Sequence, residues 1–107
     1  MATGSIKKVS NDSAETSTGG YCKLPDGTLM QWGSATINSG GYTINVALPV
    51  PFVNKNKIAV TVTTASVDNN KFFGVNYTSV TETQLSFGRT PNTSTDTIYW
   101  FAIGRWK

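Results

Sequence analysis

From Tyr21 onward the chain is built of short runs in which apolar residues alternate with polar ones, and turn-forming residues break the runs at intervals of roughly eight to twelve positions. A two-residue period puts one side of a strand in a core and the other in water. No stretch carries the longer helical period or a repeat. The pattern predicts an all-β fold, a small antiparallel β-sandwich. At 107 residues there is room for one core.

The clearest local feature is a hairpin at residues 20–33, GYCKL and TLMQWG joined by Pro25-Asp26-Gly27, where the proline presets the turn. A second run, residues 42–48, places Tyr42, Ile44, Val46 and Leu48 on one face, after a turn at Ser39, Gly40 and Gly41. Pro49 and Pro51 lack the N–H that a ladder needs, so pairing should stop there or continue only at an edge. Further strands are expected over 57–64, 72–78, 81–89 and 96–106, with polar loops at 66–70 and 90–95. Residues 1–19 contain few aliphatic side chains. They read as a polar linker, the junction to a preceding segment, or residues appended for expression, with the domain proper at 20–107.

The last run breaks the rule. Ile98, Trp100, Ala102 and Trp106 share one side, yet Tyr99, Phe101 and Ile103 make the other side apolar as well. A strand greasy on both faces needs cover on both. One face belongs to the core. For the other, the expectation is a neighbouring copy, with the chain's own loops or leader as the competing cover. Trp32, Tyr99, Trp100, Phe101, Ile103 and Trp106 are accordingly expected in core or interface.

Composition removes several chemistries. The chain has no His, so a Ser-His-Asp triad, a Cys-His pair and His-ligated zinc are excluded. Its single Cys, Cys22, cannot close an intrachain disulfide and is expected to be buried. The six acids are scattered: Asp12 and Glu15 in the leader, Asp26 in a turn, then Asp68, Glu82 and Asp96. A pair fit for glycoside hydrolysis would have to form from the last three across an interface. No catalytic residue, metal site or cofactor is expected. No run of Lys or Arg favours nucleic acid, despite a net charge of +3, and no segment is apolar enough to insert into a membrane.

Short neutral polar residues dominate instead, with 16 Thr, 10 Ser and 9 Asn. Three loops combine them with an aromatic or a charge, the mixture that a shallow sugar site uses for hydroxyls and ring faces. The candidate contacts are Tyr42, Asp68, Asn69, Asn70, Lys71, Arg89 and Asn92. In a sandwich, loops cluster at the two ends, so some of these should meet.

Taken together, GYCKLPDGTLMQWG at 20–33, LPVPF at 48–52 and YWFAIGRW at 99–106 resemble the C-terminal domains of phage and prophage tail fibres. Those domains commonly carry Lys-Leu-Pro, Gln-Trp-Gly, a Phe-Pro-like central turn and a closing Ala-Ile-Gly. Many end soon after that glycine, whereas this chain adds Arg105, Trp106 and Lys107. The resemblance implies a homotrimer at the distal tip of a virion's fibre, made in the host cytoplasm and preceded by a shaft. It implies non-catalytic adhesion to a bacterial surface glycan such as lipopolysaccharide, or to an outer-membrane protein. A purely structural trimerising or capping domain stays open beside it.

Overall fold

The computed structural model describes residues 6–10, 13–16, 19–64, 73–75, 80–89 and 95–107. Strands form where the alternation lies. They are β1 Ile6–Ser10, β2 Ser13–Thr16, β3 Gly19–Lys23, β4 Thr28–Ile37, β5 Thr43–Ala47, β6 Ala59–Thr64, β7 Phe73–Val75, β8 Gln84–Arg89 and β9 Asp96–Arg105, with one 3-10 turn at Lys55–Lys57. Every pairing is antiparallel. A six-stranded sheet runs β1-β2-β3-β4-β9-β6, and a three-stranded sheet runs β5-β8-β7.

The expected hairpin is β3 and β4, in register from Gly19 opposite Gly33 to Lys23 opposite Leu29. The Asp26 carboxylate accepts the Thr28 amide at 2.9 Å, which satisfies a donor that the turn would otherwise expose. Strand β4 continues past the expected Gly33 to Ile37, because β9 pairs with it along ten residues.

One departure concerns the leader. The polar segment before residue 20, for which no strand was expected, supplies β1, β2 and the start of β3, and the first two extend the large sheet beyond β3. A strand added at a sheet edge is held by main-chain hydrogen bonds, so it needs little apolar content of its own. The sparse hydrophobicity of this segment was therefore no bar to strand formation.

The core lies between the sheets. Leu29, Ile98, Trp100 and Ala102 come from the large sheet, Leu85 and Phe87 from the small one, and Phe52 and Val80 from connections. Phe87 and Trp100 meet across the gap with ring centroids 6.4 Å apart.

Three sequence motifs prove to be one packing unit. Gln31 is fully buried, and its side-chain amide makes two bonds to one residue: Nε2 donates to the Val50 carbonyl at 2.7 Å and Oε1 accepts the Val50 amide at 3.0 Å. A glutamine thus gives the LPVPF segment the pairing that its flanking prolines deny it. A Cβ at Gly33 would stand 2.8 Å from the Trp100 ring, and one at Gly104 would stand 2.7 Å from Phe52. Glycine at each place lets an aromatic ring lie directly on the strand.

Candidate functional site

Strand register fixes which connections share an end. Ile37 lies opposite Asp96, Thr43 opposite Gly88, Phe73 opposite Arg89 and Thr64 opposite Ile98. The three connections expected to carry the site therefore leave and return at the same end of the sandwich. Two are tied directly, as the Ser39 amide donates to Thr95 Oγ1 at 3.2 Å. Asp68, Asn69, Asn70, Lys71 and Asn92 lie outside the described residues.

Arg89 requires a correction. Expected as an exposed loop contact, it ends β8 with only 6% of its surface accessible, and its guanidinium forms a buried ion pair with Asp96. The remaining donors bind backbone: Nε to the Gly41 carbonyl at 2.9 Å, and Nη2 to Gly41 and Asn38 carbonyls at 2.7 and 3.0 Å. Its amide also donates to the Tyr42 carbonyl at 2.9 Å. Four of its five N–H groups are thus engaged, by Asp96 and by the turn at 38–42, and the cation is a structural element more than an exposed contact.

Tyr42 itself stays 58% exposed. It borders a shallow trough of about 450 Å³ whose lining includes Thr43, Gly74, Gly88 and Phe73. Thr43, Gly88 and Gly74 form one cross-strand row. A Cβ at Gly74 would meet nothing within 4 Å, so flat main chain lies open beside the ring. An aromatic face next to bare backbone suits the apolar face of a sugar ring.

The large sheet's outer face is the second feature. Along β9, Ile98, Trp100 and Ala102 are buried, whereas Tyr99, Phe101 and Ile103 are 52%, 39% and 36% exposed. Trp32 lies opposite Phe101 and Met30 opposite Ile103, so half-buried side chains of β4 widen the apolar stripe. Cys22, half-buried rather than fully so, faces the same way opposite Met30. A hollow of about 280 Å³ bounded by Ser13, Glu15, Cys22 and Trp32 continues the surface toward β2.

At the other end, Trp106 closes the domain. Its indole donates to the Leu24 carbonyl at 2.9 Å and its amide to Gly27 at 2.9 Å, while Arg105 binds the Asp26 carbonyl. The added C-terminal residues thus clasp the first hairpin turn, and Arg105 is not the freely solvated cation that its position suggests. Glu82 belongs to this end as well, accepting the Lys55 amide at 3.0 Å, so the fold separates it from Asp96 within one chain. Of the three acids weighed for a hydrolytic pair, these two do not meet in a protomer.

Asp26 and Glu82 titrate below their ordinary values of 3.8 and 4.5, held down chiefly by the backbone amides of Thr28 and Lys55. A carboxyl depressed in the folded state stabilises it above the unfolded value, and that contribution is lost as pH falls through the folded one. The melting temperature is expected to drop on acidification below pH 4.5. Thermal melts of Asp26→Asn and Glu82→Gln should show a shallower acid slope than the parent; identical slopes would refute the assignment.

Two packed antiparallel sheets with three connections gathered at one end define a β-sandwich module suited to binding or assembly rather than a fold committed to one chemistry. The particular family follows from the sequence: residues 23–105 match the tail fiber protein gp53-like, C-terminal family, and the chain belongs to it. A tail fibre protein is part of the virion's tail. The comparison with curated proteins returned no match. Among solved structures, the chain is similar to an N-truncated R2-type pyocin tail fiber, at 18% identity over 92% of this chain and 39% of that one, with a TM-score of 0.70. It is also similar to the P. aeruginosa R2 pyocin fiber, at 19% identity over 82% of this chain and 24% of that one, with a TM-score of 0.67. The P. aeruginosa R1 pyocin fiber matches at 20% identity over 82% and 26%, with a TM-score of 0.63. These likenesses show the fold. The chain spans about a quarter to two fifths of the solved fibre chains it matches.

Proposed function

We propose that this domain is the receptor-binding tip of a phage tail fibre, attaching without catalysis to a bacterial surface glycan such as lipopolysaccharide, or to an outer-membrane protein. The observation that carries the reading is the loop end. Tyr42 stands exposed on a turn that a buried Arg89–Asp96 pair holds rigid, where the connections bearing Asp68, Asn69, Asn70, Lys71 and Asn92 begin and end. A pre-set aromatic loses little entropy on binding, which is what a weak shallow site needs. In this reading Arg89 positions the site rather than touching the receptor. Tyr42→Ala should cut adsorption of the purified domain to host cells by at least tenfold, while its melting temperature stays within about 2 °C of the parent, as for a surface change. Unchanged adsorption would count against the loop end as the site.

The domain acts as a homotrimer in this proposal, with residues 1–19 as the junction to a shaft. The stripe of Tyr99, Phe101 and Ile103, widened by Trp32, supports it, because a contiguous apolar face on so lightly charged a chain calls for cover. Three copies also multiply a weak site by avidity. Phe101→Glu should convert the trimer to monomer in light scattering; a parent chain that is already monomeric sinks the assembly. The same stripe favours a second reading, a trimerising or capping domain with no receptor site. Phe101→Glu would then abolish fibre assembly, and Tyr42→Ala would leave adsorption intact.

A further inference from the structure

The sequence contains no basic run, yet the fold builds a basic end. Lys23 and Lys107 place their ammonium groups 5.3 and 5.0 Å from the Trp106 ring centroid, one on each side in sequence of the clasped turn. Arg105 adjoins them through its bond to Asp26. Lys55 and Lys57 arrive from a distant segment: the Val53 amide donates to the Arg105 carbonyl at 3.0 Å, and the Lys57 carbonyl lies 3.3 Å from where a Cβ on Gly104 would stand. These five are all the cations with described side chains except Arg89, which Asp96 neutralises at the opposite end. Asp26 and Glu82 lie at this end too, bonded to the Thr28 and Lys55 amides, and their charges offset Arg105 and Lys55 in part, so cations remain in excess there among the described side chains. Like charges held together cost stability, so the gathering invites a counter-charge.

The register also tells how this end is presented. Ile6 lies level with Thr16, Gly19, Gly33 and Trp100, and Ser10 level with Ser13, Cys22, Met30 and Ile103. Strand β1 therefore runs toward the basic end.

We infer that the end built on Trp106 is an anion-binding surface, separate from the loop end, and that its partner is a saccharide carrying several phosphates. Two ammonium groups over one indole, with three further cations at the same end, fit a compact multivalent anion, since ammonium and guanidinium groups make charge-assisted bonds to phosphate oxygens. A long polyanion such as duplex nucleic acid would want cations along a track, whereas these sit at one end of the sandwich. The saccharide identity of the partner rests on the adhesive reading above; the anion site does not.

The test is an NMR titration of the full chain with inositol hexakisphosphate, with unphosphorylated inositol as control. Saturable shifts are expected at the amides of Lys23, Lys55, Lys57 and Arg105 and at the Trp106 indole N–H, with none around Tyr42 and none from inositol. The exposed double variant Lys55→Gln, Lys57→Gln should keep the parent's melting curve and weaken binding about tenfold, the scale of a lost charge-assisted bond. Raising salt to about 0.5 M should weaken the parent comparably by screening. Absence of saturable shifts, shifts centred elsewhere, or an equal response to inositol would overturn the proposal. So would binding of duplex DNA or anionic phospholipid vesicles by a chain that ignores the phosphorylated ring. Tyr42→Ala should titrate like the parent, so failure of the loop end to mediate adsorption and failure of this surface are read separately.

Discussion

Arg89→Ala is expected to destabilise the domain by about 3–5 kcal/mol, the cost of removing one partner of a buried ion pair. The substitution leaves Asp96 buried without its counter-ion and strips the Asn38 and Gly41 carbonyls of their donors. Water does not easily replace the lost counter-ion, because Asp96 is buried. Urea unfolding at neutral pH measures the effect directly. Arg89→Lys should recover only part of it, since one ammonium cannot span Asp96, Asn38 and Gly41 as the guanidinium fork does. The double variant Arg89→Met, Asp96→Leu should be far less harmed than Arg89→Ala, because it removes the charge along with its partner. A loss below about 1 kcal/mol for Arg89→Ala would mean that the pair is solvated and that the turn at 38–42 holds itself.

Gln31→Leu should cost about 2–4 kcal/mol even though the replacement is apolar, similar in size and enters an apolar core. The reason is the backbone of Val50. Its N–H and C=O both face the Gln31 amide, and between two prolines no strand is available to take them instead. A leucine would leave two main-chain groups without partners. Gln31→Glu separates the two bonds: protonated at low pH it can both accept the Val50 amide and donate to its carbonyl, so it should fall between parent and leucine, while the carboxylate at high pH only accepts, carries a buried charge and should fall below both. Hydrogen exchange at Val50 reports the loss locally. If Gln31→Leu is neutral or stabilising, the segment at 48–52 is held by Phe52 packing alone.

Much of the architecture was legible from alternation. The first hairpin, the halt of pairing at the prolines and the two-sided character of β9 all follow from which residue types neighbour one another. That some polar connections should meet at one end was also legible, whereas the strand register was needed to bring all three there. The ion pair of Arg89 was hidden, since an arginine beside a run of Thr, Pro and Asn has the composition of an exposed loop. A signal existed: Asp96 opens the most apolar strand of the chain, and a carboxylate there needs a cation. Gln31 offered none. A lone polar residue in an alternating strand reads as the wet face until the partner segment is placed.

The sequence by itself determined the strand period, the hairpin turn and the absence of imidazole chemistry, because each depends on residue identity over a few neighbouring positions. Tertiary structure alone decided that Arg89 is buried, that β1 and β2 join the large sheet, and that Lys23 and Lys107, from opposite ends of the domain's sequence, meet over Trp106. Those outcomes arise from contacts between residues as far apart as the 82 positions separating Trp106 from Leu24. Strand order and register select such contacts through the burial they achieve together, and no local pattern encodes that sum.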